Sequence, residues 1–289
     1  MTGPSGPRVP TGNPVVPLTP SDIATQVSHL AIRRAALSFG SVSVLAAMAG
    51  VFVALGAMLT NTIAASSNLG LGPTRLLMGI GLSTGLFLVV ITGAELFTGN
   101  NLMVIGLLDH QITVRQLIRN WISVYLGNFI GALAVVLVVF SSRWWEIADY
   151  SFGAAALTNA HAKIDLGLGT VFARGILANV FVCLALWLAT AGRSLIDKLV
   201  AVVLPISAFV AGGFEHSVAD MYFVPFGMLL SGQSEVAAAA GLSSAQLDGL
   251  NGAWFAGFLA IVSLGNVVGG VAVSLANWFV HLRRIPTVG

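Results

Sequence analysis

No charged residue lies between Arg34 and Arg75, and none between Arg75 and Glu95; the stretch from Leu199 to Phe214 is again free of charge. A helix needs about 20 apolar residues to cross the hydrocarbon core of a bilayer, and windows of that kind recur to the end of the chain. Composition agrees, with 56% hydrophobic and 8% charged residues and a mean hydropathy of +0.91, far from the balance of a soluble domain. The expected fold class is an all-α polytopic membrane protein.

Apolar windows predict six transmembrane helices at about 36–60, 77–110, 117–141, 168–191, 198–232 and 251–281. Residues 1–28, rich in Pro, Gly, Ser and Thr at their start, are expected to be a disordered cytoplasmic tail, 29–284 the transport domain, and 285–289 a second short tail. On the terminal side of this arrangement fall Arg8, Arg33, Arg34, Arg115, Arg119, Arg193, Lys198, Arg283 and Arg284. The opposite side has only Arg75, Arg143 and Lys163, with Arg174 inside or near the fourth span. Basic residues concentrate on the cytoplasmic face, so both termini are expected inside a multi-pass protein of the plasma membrane. Cys183 is the lone cysteine and sits in an apolar helical pattern, which leaves no internal disulfide and no thiolate cluster.

The two halves resemble each other. Leu126-Gly127-Asn128-Phe129-Ile130-Gly131-Ala132 in the third span matches Leu264-Gly265-Asn266-Val267-Val268-Gly269-Gly270 in the sixth, and Gly50-Val51-Phe52-Val53 has a weaker echo in Asn179-Val180-Phe181-Val182. Three spans per half make the repeat inverted. The second and fifth spans run well past the ~20 residues a straight helix requires, and each is interrupted by polar residues beside glycines: Gly93 to Asn101 in one, Gly212 to Ser217 in the other. Irregular backbone at membrane depth is tolerated where protein or a watery cavity satisfies it. Paired interruptions point to a central pathway, and the amides at half-helix ends suit an anion.

The segments Glu95-Leu96-Phe97-Thr98-Gly99-Asn100, Arg174-Gly175-Ile176-Leu177-Ala178-Asn179, Val182 to Trp187, Gly192-Arg193-Ser194 and Gly213-Phe214-Glu215-His216-Ser217 resemble the formate–nitrite transporter family. The resemblance covers about 30–282. It implies an aquaporin-like fold with broken second and fifth helices, and a homopentamer with a pore in each protomer. Its implied substrates are formate or nitrite, with hydrosulfide and related small monocarboxylates as alternatives. No cofactor and no nucleic-acid partner is implied; the partners are the small anion, with or without coupled protons, and the lipid bilayer.

His216 lies at a break between Glu215 and Ser217. Imidazole titrates near neutrality, so this ring could donate a hydrogen bond to a permeating anion or hand it a proton. The resemblance places it at the centre of the pore, with Thr98 and Asn179 lining the same chamber and Lys163 drawing anions inward. It also implies two apolar constrictions, an outer one of Leu82, Leu96 and Phe209 and an inner one of Leu86, Phe97 and Val182. Leu82 replaces the phenylalanine of some members, and Asp220 stands where the family more usually has Asn. Glu95 and Glu215, one at each break, are expected to cap the free amides of the half-helix that follows rather than to form a catalytic pair.

Three rival readings fit less well. A water or glycerol channel would carry paired Asn-Pro-Ala signatures, whereas Asn13-Pro14 sits in the tail. An intramembrane enzyme needs a nucleophile with a base, or a metal-ligand set, and the breaks offer a single histidine. A purely structural protein has no need of ionisable residues at the membrane midplane, where they are costly.

Overall fold

The computed structural model describes residues 18–283. The expected C-terminal tail, 285–289, and the first part of the N-terminal one lie outside the described residues. The chain runs through α1 (Pro20–Ala35), α2 (Phe39–Ser66), α3 (Leu71–Thr92), α4 (Phe97–Asn100), a 3-10 turn and α5 (Val104–Leu108), then α6 (Val114–Ser141) and α7 (Ser151–His161). There follow α8 (Leu168–Ala191), α9 (Leu195–Ala211), α10 (Ser217–Leu230), the short α11 (Ser234–Ala240) and α12 (Ser244–Leu247), and α13 (Gly252–His281). Among the described residues, α2, α3, α6, α8 and α13 are long and apolar enough to cross a membrane. The expected fifth span is divided between α9 and α10, and the expected second between α3 and the α4–α5 segment.

The expected tail boundary at residue 28 is corrected. Residues 20–28 belong to α1, which begins on a capping box: Thr19 Oγ1 accepts from the Asp22 amide at 3.2 Å, and the Asp22 carboxylate accepts from the Thr19 amide at 3.3 Å. Pro20 opens the helix, where its missing N–H costs nothing. Ile23, Ala24 and Val27 bury one stripe against Leu102, Ile105 and Trp187. A helix with one apolar stripe has low mean hydropathy, so a search for spans passes over it.

The two halves of the bundle repeat each other's contacts. α2 packs on α6 and α8 on α13, in both cases through glycines of the repeated motif. A Cβ at Gly131 would stand 2.0 Å from the Ala47 carbonyl oxygen, and one at the equivalent Gly269 would stand 2.2 Å from that of Ile176. Small residues allow this approach, which supplies the dispersion that holds helices together in lipid. Gly131→Ala or Gly269→Ala is therefore expected to force its helix pair apart at a cost of about 1–3 kcal/mol. A lowered melting temperature of the purified protein in detergent checks this, and an unchanged one refutes the close packing.

α7 lies between the expected third and fourth spans, outside every expected span. Its Ala156, Leu157 and Ala160 are buried, it packs on α10, and Trp144 contacts Phe226 of α10 at 6.0 Å between ring centroids. The consequence for the site is positional: α7 ends just before Lys163 and holds that lysine inside the protein.

Candidate permeation path

Both interruptions are built on one plan. Each opens on a glycine with a left-handed backbone, Gly93 at φ 71° and Gly213 at φ 70°, a conformation that other residues adopt at a cost. Two residues later a glutamate amide reaches the carbonyl of the neighbouring span, Glu95 N to Leu45 O at 3.1 Å and Glu215 N to Arg174 O at 3.4 Å. An asparagine from the repeated Leu-Gly-Asn motif then closes the structure. Asn128 Nδ2 donates to the carbonyls of Ala46 (2.8 Å) and Glu95 (2.9 Å), and its Oδ1 accepts from the Phe97 amide at 2.9 Å. Asn266 does the same in the second half, to Gly175 (2.8 Å) and Glu215 (3.0 Å), accepting from the Ser217 amide at 2.9 Å. A side-chain amide both donates and accepts, so one asparagine at each break satisfies two carbonyls and one amide of the irregular backbone. These two asparagines were missed as site residues, although the sequence repeat displayed them.

The capping role expected of Glu95 and Glu215 is not what the structure contains. The Glu95 carboxylate accepts from Asn100 Nδ2 at 2.6 Å and pairs with Arg34 at 3.3 Å. Glu215 pairs with Lys163 and lies 3.9 Å from Arg174. Asn128 and Asn266 already occupy the first amides, and each carboxylate is turned toward a cation instead. The N-cap of α10 is His216 itself, whose Nδ1 accepts from the Ala219 amide at 3.2 Å.

That bond decides the tautomer of the neutral ring. With Nδ1 occupied as an acceptor, the proton belongs on Nε2, which donates to Thr98 Oγ1 at 2.9 Å. Thr98, fully buried at the start of the other half-helix, keeps its own hydroxyl hydrogen to offer. The two breaks thus meet through one hydrogen bond.

Three cavities follow the line of this contact. One of about 390 Å³ lies beside α1 and has Arg33, Arg34, Leu96 and Lys198 in its wall. Another of about 160 Å³ is lined by Arg75, Lys163, Arg174, Glu215, His216 and Asp220. Arg75 and Val90 stand at opposite ends of α3, so the two cavities occupy opposite ends of the bundle. Between them is a chamber of about 20 Å³, room for about one water molecule. Its walls are apolar pairs related by the repeat, Val53 with Val182 and Leu86 with Ile206, together with Leu82 and Phe209. Leu96 of the first break faces His216 of the second as the last pair, which makes the imidazole the polar member of the lining.

Of the residues expected in the constrictions, Leu82, Leu86, Leu96, Val182 and Phe209 come together at this chamber. Their expected division into two trios does not appear. Leu82 and Phe209 border the Lys163 cavity, whereas Leu96 borders the one beside α1, because the break turns it that way. Phe97 lines none of the described cavities; it packs edge-on to Tyr125 at 4.8 Å and Trp121 at 6.2 Å. Asn179 also stands off the path. Its Nδ2 donates to Asn101 Oδ1 at 2.8 Å and to the Asn266 carbonyl at 2.6 Å, tying α8 to α13 and the first half-helix. Lys163 is buried rather than solvated, bridging Glu215 and Asp220, the latter at 2.9 Å.

Residues 21–279 match the formate/nitrite transporter family. The formate channel FocA of Escherichia coli K12 is 35% identical over 277 residues, 94% of this chain and 97% of that protein. A probable formate transporter of Methanothermobacter thermautotrophicus is 33% identical over 284 residues, 92% and 98% of the respective chains. A solved pentameric formate channel with formate bound superposes with a TM-score of 0.76 at 32% identity, covering 85% of this chain and 98% of its own. With the family model matching most of the chain and relatives above 30% identical along nearly their whole length, the chain belongs to the formate/nitrite transporter family.

Proposed function

We propose that each protomer passes formate or nitrite through the bundle, along the line from the Lys163 cavity past His216 to the Arg34 cavity. The observation that carries this is the alternation of charge and apolar wall: cations at both mouths, and between them a narrow apolar chamber whose polar lining is one imidazole bonded to one hydroxyl. Lysine and arginine at the mouths raise the local concentration of a small anion; two unit charges about 4 Å apart gain about 4 kcal/mol at an effective dielectric of 20. The His216 imidazole borders the chamber, and parting its bond to the buried Thr98 hydroxyl would free the Nε2–H and that hydroxyl as donors for an anionic oxygen. The apolar side chains beyond resist a bare anion, since stripping its water costs several kcal/mol. A proton received from the imidazolium would make the solute neutral for that step, which supports coupled movement of protons. A chamber of about 20 Å³ is too small for the solute as it stands, so Leu82, Phe209 and Leu96 have to part during passage.

The same reading makes the protein a homopentamer of the plasma membrane with both termini in the cytoplasm, supported by the pentameric neighbour and by the basic residues on the terminal side. The test is uptake of labelled formate and nitrite by liposomes containing the purified protein, with pH set separately on each side. Uptake of either, stimulated by external acid, is expected. Folded, correctly inserted protein that carries neither would overturn the substrate assignment.

A further inference from the structure

We propose that Lys163, Glu215 and Asp220 form a proton-binding site at the mouth of the path, in which Asp220 holds anions back when ionised and admits them when protonated. The inference rests on the transport reading above and adds a second titrating group to it, separate from His216.

The two breaks share one plan but differ in the residue that stands beside the glutamate carboxylate. Five residues after each break glutamate comes Asn100 in the first half and Asp220 in the second. Asn100 Nδ2 donates to Glu95 Oε2 at 2.6 Å and to Asn120 Oδ1 at 2.8 Å, a neutral group satisfying a carboxylate. Asp220 cannot donate to Glu215 without a proton. Lys163 stands in the gap, bonded to Glu215 and 2.9 Å from Asp220 Oδ1. The second oxygen, Asp220 Oδ2, is buried and has no hydrogen-bond partner among the described residues, although the residue lines the Lys163 cavity and is only 1% exposed. A buried carboxylate oxygen without a donor is costly, and a proton on that oxygen removes the charge and supplies a donor.

The charge balance of the cavity sets the direction. Arg75, Lys163 and Arg174 face Glu215 and Asp220. With both acids ionised, Lys163 is countered on two sides and the three cations face two carboxylates, which weakens the pull on a formate-like anion. A proton taken up from the outer solution onto Asp220 Oδ2, forming the O–H bond and breaking no other, leaves three cations facing one carboxylate. Raising the pH returns the proton to solution. The other titratable groups on elements packed against α10 are His161 at the end of α7, Tyr125 of α6, whose hydroxyl is bonded to Ser263 at 2.9 Å, Arg115 and Arg119 in the first turns of α6, the latter bonded to the Ala35 carbonyl, and His216 and Tyr222 on the same segment. Among the described residues α2 brings no charge to this face, and the one titratable residue of α13, His281, ends that helix.

Two measurements on the full chain in liposomes test this. Formate flux of the wild type is expected to be lower at about pH 8 than at about pH 5. Asp220→Asn, which reproduces the chemistry of Asn100, is expected to raise the flux at about pH 8 by about threefold or more, because one negative charge is gone from the mouth. Independently, pH-difference infrared spectra of the wild type should contain a protonated carboxyl band that titrates over the same range. That band requires no variant and no formate, so it still decides the proton site if Asp220→Asn fails to assemble. Assembled Asp220→Asn with flux at about pH 8 no greater than the wild type, or wild-type spectra with no titrating carboxyl band, would overturn the proposal. A titrating band in a wild type that carries no formate would instead sink the transport reading and leave the proton site standing.

Discussion

His216→Asn is expected to leave the protein folded and assembled while cutting formate flux at about pH 5 by roughly tenfold or more, the scale of a lost proton-transfer group. The choice of asparagine follows from the double duty of this side chain. Nδ1 caps α10 by accepting from the Ala219 amide, and Nε2 faces Thr98. Asparagine is among the best N-cap residues and keeps a donor for the chamber, but it does not titrate. His216→Phe removes the cap as well, at about 1 kcal/mol, and confuses the two roles. The sign of the pH effect distinguishes this group from Asp220. Loss of imidazole removes the flux gained in acid, whereas loss of the Asp220 charge restores flux in base, and one assay reads both. If His216→Asn retained the full acid-stimulated flux, the imidazole would have no part in proton transfer.

A larger structural effect is expected from the two asparagines that stitch the breaks. Asn266→Leu keeps the side-chain volume roughly constant but strands the Ser217 amide and the carbonyls of Gly175 and Glu215 in a dry interior. At about 1–3 kcal/mol for each stranded group, the sum is on the order of 5 kcal/mol, comparable to the whole stability of many folded proteins. The variant is expected to lose its cooperative melting transition in detergent and to elute as smaller or aggregated species. Asn128→Leu should behave alike, since it removes the matching bonds to Ala46, Glu95 and Phe97. Melting curves within error of the wild type for both variants would show that the breaks are held by something other than these side chains.

The repeat was legible in the sequence as matching Leu-Gly-Asn segments, but their purpose was not. Gly131 and Gly269 could be read as tight-packing residues from composition alone, because small residues in apolar helices mean close approach. Nothing local marks Asn128 and Asn266 for that role, because the breaks they hold belong to other spans. The misplacement of Glu95, Glu215 and Asn179 has the same origin. The two glutamates are assigned by their place at a break and Asn179 by family resemblance, whereas their partners, Arg34, Lys163 and Asn266, come from elements far away in sequence. α1 and α7 fall outside the expected spans because helices that lie against a bundle rather than through it are too short or too mixed in polarity to register as spans.

What the sequence alone determined was the bilayer as solvent, the all-helical class, the two interruptions and the presence of a histidine, His216, at one of them. Length of apolar runs and cost of buried charge are local properties, and they can be read residue by residue. Only the tertiary structure decided that the interruptions are stitched by Asn128 and Asn266, that Leu96 and Leu82 border different cavities, and that Lys163 is shared by two carboxylates. Those outcomes depend on which side chains meet across the bundle, and in a low-dielectric interior a hydrogen bond or an ion pair is worth most where its partner is, wherever in the chain that partner was encoded.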